Sequence, residues 1–311
     1  MCVYVRFFCQ NVTSMDHSIS RPWIVGHRGT LYQELENTRE GFRQCAVMGC
    51  DAVELDVFRL KCGTVVVFHG GGTDENPGDL WDYCKTRGSI LDLTYEEAKQ
   101  LTFNTDFAEF ACPTGKTSSG TIPTLEEVLM DAKESGMHIK IELKGPGTVE
   151  PTLELVERLD VVAQCSFSTF DLDRLALLRK LRPQKAESGE YIYKTGALFN
   201  DLPSDFVEQA TKVGASEIHL RYDVCTPQAI QRIHEAGFGS MCWFRGPIGM
   251  ASDVKEKYWD VGNEDEGMYD AVLRSGVQQM CVNKPDVLIA MMKGKENSSV
   301  SESLEQNCDR K

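Results

Sequence analysis

No stretch of this chain approaches the ~18 uninterrupted apolar residues that a membrane-spanning helix needs, so no such helix is expected. Basic residues are in short supply. There are 33 Lys and Arg against 47 Asp and Glu, a formal charge of −14. A chain so acidic repels nucleic acid and anionic membrane surfaces, and a phosphate-rich polymer is not an expected partner. With 26 glycines and 11 prolines, the collagen-like and low-complexity classes are excluded. No Cys-x-x-Cys pair occurs among the 12 cysteines, and Cys165, Cys242 and Cys281 sit inside apolar runs. They are expected to be unpaired, buried thiols of a chain working in the reducing cytoplasm. The apolar start from Met1 to Cys9 is short, lacks a preceding basic region, and reads as neither signal peptide nor anchor.

What the chain does have is alternation. Residues 10–20 and 293–311 are polar and without period, and 1–21 and 293–311 are expected to be disordered tails around a folded body of 22–292. Within the body eight β-rich runs recur: Trp23–Gly29, Ala52–Leu60, Met137–Lys144, Val161–Ser168, Tyr193–Phe199, Ser216–Tyr222, Gly239–Phe244 and Gln279–Asn283. Helix signals lie between them. Thr124 and Glu127 form a capping box ahead of the stripe Leu125, Val128, Leu129 and Ala132. Thr226-Pro227 opens a helix stopped by Gly237, and Ser204 to Gly214 repeats the arrangement. Eight such alternations predict an α/β fold of the closed (β/α)8 kind, a TIM barrel. An open doubly wound sheet competes, but no glycine-rich dinucleotide fingerprint follows the first strand. The interval from Leu60 to Met137 is far longer than the others. It is read as a hairpin, turning at Lys61-Cys62-Gly63 into Val65–His69, followed by an insertion over about 70–121 that packs on one end of the barrel.

In such barrels the chemistry sits at the C-terminal ends of the strands. The first strand ends in His27-Arg28-Gly29. Period two places Glu54 and Asp56 of the second strand on one face, and Glu142 and Lys144 of the third on another. With the apolar faces packed on helices, three carboxylates and a lysine point into the barrel mouth. Crowded carboxylates need protons, cations or a metal, and an all-oxygen set suits a hard divalent ion such as Mg²⁺ or Ca²⁺, with Mn²⁺ as an alternative. Polar alternation on half-exposed strands, or pairing of Glu142 with Lys144, would produce the same pattern. The hairpin turn returns His69 to about the level of Asp56, beside His27. Two imidazoles flanking a cation, with Arg28 and Lys144 at hand, suit the breaking of a phosphodiester. His17, His138, His219 and His234 lack such company and are read as structural.

The order His27-Arg28-Gly29, Glu36-Asn37-Thr38, Glu54-x-Asp56, His69, Glu142-x-Lys144 resembles the glycerophosphodiester phosphodiesterases. So do Ile122-Pro123-Thr124-Leu125-Glu126-Glu127, Trp243 at the end of the seventh strand, and Asn283-Lys284-Pro285-Asp286. The resemblance implies a barrel with an insertion after its second strand. It also implies metal ligands Glu54, Asp56 and Glu142, an acid–base pair of His27 and His69, and phosphate binding by Arg28 and Lys144. Glu36 and Asn37 would shape the first loop, and Trp243 would line the substrate side. The expected substrate is a small glycerophosphodiester, attacked by its own glycerol hydroxyl. A lysophospholipid is the alternative, with Trp81, Phe103, Phe107 and Phe110 lining an apolar channel or forming the insertion's own core. A non-catalytic barrel binding phosphorylated ligands is the reading from another class. Gly70-Gly71-Gly72 stands where the family usually has Asp after the second histidine. Asn283 stands where it generally has Thr, a departure expected to bear on substrate identity and not on catalysis.

Overall fold

The structure, a computed structural model, describes residues 21–73, 76–103, 121–246 and 264–294. The expected tails lie outside these except for residues 21, 293 and 294. In chain order the first elements are β1 (Trp23–His27), α1 (Arg39–Met48), β2 (Ala52–Arg59), β3 (Val65–Val67), β4 (Gly71–Thr73), β5 (Asn76–Asp79), α2 (Trp81–Cys84) and α3 (Tyr95–Ala98). They continue with α4 (Leu125–Ser135), β6 (His138–Leu143), α5 (Val149–Arg158), β7 (Cys165–Thr169), α6 (Leu172–Leu181), β8 (Lys194–Phe199) and α7 (Phe206–Lys212). The last are β9 (Glu217–Arg221), α8 (Pro227–Glu235), β10 (Gly239–Trp243), α9 (Glu266–Leu273) and β11 (Gln279–Val282).

β1 pairs in parallel with both β2 and β11, so β1, β2, β6, β7, β8, β9, β10 and β11 close into an eight-stranded parallel barrel. That closure excludes the open sheet. The outward faces of the strands pack on helices through Val53, Leu55, Ile139, Ile141 and Ile218, against the buried stripes Leu125, Val128 and Leu129 of α4 and Ile230 and Ile233 of α8. Both expected helix starts form. Thr124 and Glu127 exchange capping-box hydrogen bonds, and Thr226 caps α8 with Pro227 in its first turn. The fourth barrel strand begins later than its apolar run implies, because Val162–Gln164 is a 3-10 turn. The Gln164 amide donates to Ala132 and Met137 carbonyls and pins that turn. An apolar run alone does not tell a buried turn from a strand.

The N-terminal half of the barrel interior is polar and buried. Glu217 accepts from Lys140 at 3.0 Å and from Gln279 at 3.0 Å, and lies 2.8 Å from His219 Nε2. His219 occupies the volume a side chain on β8 would take: a Cβ at Gly196 would lie 2.1 Å from the His219 ring. His219 is therefore structural, as its sequence context implies.

Between β2 and β6 the chain builds a cap. β3 turns back antiparallel on β2, with Val67 opposite Val57, and β4 and β5 form a second small hairpin. Phe58, Phe68, Tyr83, Ile90 and Ile122 pack beneath it as a separate cluster. Phe103 joins that cluster, whereas Trp81 is half exposed under the Arg87 guanidinium, 5.5 Å from its ring centroid. Phe107 and Phe110 lie outside the described residues.

Candidate active site

At the end of β1 the backbone enters the left-handed region at Arg28 (φ 55°), a conformation sparsely populated for a bulky side chain. The turn aims the Arg28 amide at Glu54 Oε2, 3.2 Å away, and carries the guanidinium inward. There Arg28 donates to Glu36 at 3.2 and 3.3 Å, and its Nε lies 3.3 Å from Asp56. Glu36 and Asn37 reach the site because Thr38 caps α1 immediately after them. Asn37 brackets Asp56, donating to Oδ2 at 3.0 Å and accepting from the Asp56 amide at 3.3 Å. Both residues are buried and neither borders the cavity. Expected to shape the first loop, they hold Arg28 and Asp56 from behind.

Glu54, Asp56 and Glu142 each offer an oxygen within 4.8 Å of the others. Their convergence follows from strand register, which sets Asp56 opposite Glu142 on β2 and β6. Lys144 Nζ sits 3.5 Å from both Asp56 and Glu142. The pairing of Glu142 with Lys144 therefore occurs together with the carboxylate cluster, not in place of it. Burial, and then the neighbouring carboxylates, push Glu54 well above the ordinary carboxylate range. Glu142 is raised chiefly by burial, against the pull of Lys144. Asp56 stays below that range, because the positive charge around it and the Asn37 hydrogen bond outweigh its burial. Without a cation, then, the cluster tends to take up protons. An all-oxygen donor set with that excess of negative charge fits a hard divalent ion.

His69 arrives as the hairpin predicts. The Phe68 amide donates to the Asp56 carbonyl at 3.0 Å, which returns residue 69 to the mouth. Its Nδ1 lies 2.9 Å from the Tyr83 hydroxyl. His27 Nδ1 lies 2.7 Å from Asn283 Oδ1, and its Nε2 lies 3.7 Å from Glu54 Oε2. Burial, then Arg28, holds both imidazoles neutral, with His27 lowered to about 3 and His69 well below its usual value.

These groups line a cavity of about 170 Å³ whose other wall includes Phe170, Leu198, Met241 and Trp243. Phe170 and Trp243 meet edge to face at 5.6 Å. Trp243 Nε1 is buried with no hydrogen-bond partner among the described residues. His27, Arg28, Glu54, His69, Glu142, Lys144 and Trp243 border one space, and Asp56 lies beneath them.

Sequence reasoning missed Tyr83 and Glu264, and it set Asn283 apart from the reacting groups. The structure corrects the last point. Asn283 touches His27, while its own amide nitrogen donates to the Arg245 carbonyl at 2.7 Å and to the Glu264 carboxylate. Glu264 also accepts from Tyr269 at 2.7 Å, and burial raises it to about 7. Tyr83 carries no sequence signal of its own, since it lies on a four-residue helix of the cap.

Comparison with known proteins accords with this geometry. The chain is 23% identical over 275 residues to a glycerophosphodiester phosphodiesterase of Caldanaerobacter subterraneus, covering 87% of this chain and 97% of that one. It is 28% identical over 135 residues to a lysophospholipase D of Rattus norvegicus, covering 43% of this chain and 40% of that one. Among solved structures, a Galdieria sulphuraria protein superposes with a TM-score of 0.70 at 28% identity, covering 88% of this chain and 98% of that one. An Oleispira antarctica phosphodiesterase, solved with the product sn-glycerol-3-phosphate, gives 0.65 at 21% identity over 85% of this chain and 94% of that one. Residues 27–245, from the first site histidine to just beyond Trp243, match the glycerophosphoryl diester phosphodiesterase family, and the chain belongs to that family.

Proposed function

We propose that the protein is a divalent-cation-dependent phosphodiesterase that splits a glycerophosphodiester into glycerol 3-phosphate and an alcohol. One observation carries the reading: two imidazoles and two basic side chains border the same cavity as a three-carboxylate cluster. A non-catalytic phosphate binder has no need of an acid–base pair.

Glu54, Asp56 and Glu142 would hold the cation. When bound, it supplies positive charge that neutralises the phosphate and acidifies a neighbouring hydroxyl. Arg28 and Lys144 bind the nonbridging oxygens, with Glu36 keeping the Arg28 fork in place. The substrate's own glycerol 2-hydroxyl attacks phosphorus, tethered close enough to lose little further freedom. One imidazole takes its proton while the other protonates the departing alcohol as its P–O bond breaks. Water then opens the cyclic phosphate with the proton roles reversed, and both imidazoles return to their starting state.

The apolar wall of Phe170, Leu198, Met241 and Trp243 favours a second reading, a lysophospholipid whose acyl arm leaves along that side. Turnover of glycerophosphocholine and of lysophosphatidylcholine, with chelator and after adding back Mg²⁺, Ca²⁺ or Mn²⁺, decides between them. Glycerol 3-phosphate from the first substrate, lost on chelation and restored by one ion, is the expected result. Faster turnover of the second substrate favours the lysophospholipid reading. Undiminished activity in metal-stripped protein removes the cation from the mechanism, and turnover of neither substrate leaves the non-catalytic barrel.

A further inference from the structure

We infer that Tyr83 is a positioning residue for His69: its phenol holds the imidazole with the ring proton on Nε2, facing the cavity, as the proton donor of the reaction. The assignment of a reaction to His69 rests on the phosphodiesterase reading above. The hydrogen-bond geometry does not.

The Tyr83 hydroxyl is 2.9 Å from His69 Nδ1, and its side chain is fully buried. The Arg28 guanidinium also hydrogen-bonds this hydroxyl. A guanidinium has only protons to give, so the phenol oxygen accepts from Arg28 and directs its own proton to Nδ1. A neutral imidazole that accepts at Nδ1 carries its proton at Nε2. Burial raises the phenol well above its usual value, which keeps that proton on oxygen.

His27 is held the opposite way. The Asn283 amide nitrogen is committed to the Arg245 carbonyl and to Glu264, so its oxygen faces His27 and accepts from Nδ1–H. His27 Nε2 is then a bare lone pair. His27 begins as base and His69 as acid, with no net charge on either. On giving its Nε2 proton to the alcohol, His69 becomes an imidazolate that Tyr83 and Arg28 offset until the water step returns the proton.

The glycine run after His69 makes the Tyr83 contact sterically feasible. Gly70 has φ +64°, and a Cβ there would lie 2.8 Å from Gly78 Cα and 3.0 Å from the Phe68 ring. Backbone therefore lies on backbone where β5 crosses residue 70, and α2 follows directly after β5. Tyr83 then meets Phe68 edge-on at 5.3 Å and reaches the neighbouring imidazole. The segment between β2 and β6 thus contributes a group that touches the site.

Two measurements test this. In metal-free protein labelled with ¹⁵N-histidine, long-range ¹H–¹⁵N correlations read each tautomer directly. His69 should carry Nε2–H and His27 Nδ1–H. An Nδ1–H signal for His69 overturns the inference, whatever the activity. In Tyr83→Phe, kcat for glycerophosphocholine should fall on the order of tenfold to a hundredfold. KM should stay within about twofold if substrate and transition state lose unequal interactions. The p-nitrophenyl ester of glycerol phosphate, whose leaving group departs without a proton, should lose far less. Equal losses on both esters, or no loss on the choline ester, overturn the role. Should the variant not fold, the wild-type spectrum still decides the tautomer. Should wild-type protein hydrolyse neither ester, the phosphodiesterase reading fails and the spectrum judges the Tyr83 geometry alone.

Discussion

Asn283 Oδ1 lies 2.7 Å from His27 Nδ1, joining the end of the last barrel strand to the end of the first. Replacing Asn283 by Ala removes the acceptor, leaves the Glu264 carboxylate without one of its donors, and frees the imidazole to turn. Loss of a buried hydrogen bond with its partner left unsatisfied costs about 1–3 kcal/mol. Expressed in the transition state, that is about tenfold to a hundredfold in kcat. Steady-state kinetics of Asn283→Ala check it, and a wild-type kcat shows that His27 is oriented by other contacts.

Replacing either imidazole should cost more. His27→Ala and His69→Ala should each lower kcat on the order of 10²–10⁴, the usual range for a positioned acid or base. Calorimetric titration of Mn²⁺ into the same variants should return near-normal affinity, because neither residue belongs to the carboxylate cluster. A variant that loses cation binding along with rate makes that histidine a ligand.

The nucleophile can be tested with a substrate analogue. Glycerophosphocholine lacking the 2-hydroxyl should bind comparably, measured as competitive inhibition, and turn over far more slowly. The normal substrate should release a cyclic phosphate that is trapped at short times. Equal turnover of the deoxy analogue, with no cyclic species, points to direct attack by water.

The buried network under the site should govern acid stability. Burial alone would raise Glu217, but Lys140, His219 and Gln279 together hold it well below its usual value of 4.5. A carboxylate depressed in the folded state adds stability that is fully present above the unfolded value and is lost as pH falls from there toward the folded one. Glu217→Gln should cost about 3–5 kcal/mol at neutral pH, since it leaves Lys140 buried without a counter-ion. That deficit should shrink below about pH 4.5 as the wild type loses its advantage. Urea midpoints of both proteins between pH 7 and pH 3 measure it, and a pH-independent gap assigns the loss to packing.

Much of this was legible because the signals are local. Period two along Ala52–Arg59 put Glu54 and Asp56 on one face, and one tight turn returned His69 to their level. Eight strand runs with capped helices between them specified the barrel. Tyr83, Glu264 and the true place of Asn283 were not legible. Each reaches the site from outside the strand patterns, through polar contacts that leave no period behind. Glu36 and Asn37 were recognised as a pair, but only the left-handed turn at Arg28 reveals that they contact its guanidinium and Asp56. The late start of β7 went unseen because Val161 and Val162 are as apolar in a pinned turn as in a strand.

The pairing of β1 with β11 has a kinetic corollary. During synthesis Trp23–His27 is made long before Val282, so one of its two flanking strands is absent until the end of the barrel has been translated. Until then β1 presents an unpaired edge, a template for mispairing with another chain. A ribosome that stalls or terminates after residue 245, where the match to the family model ends, releases an open staircase of seven strands with every predicted cation ligand present and its seam unzipped. Such a product should be aggregation-prone, because the edge of β1 stays unpaired until β11 closes the barrel.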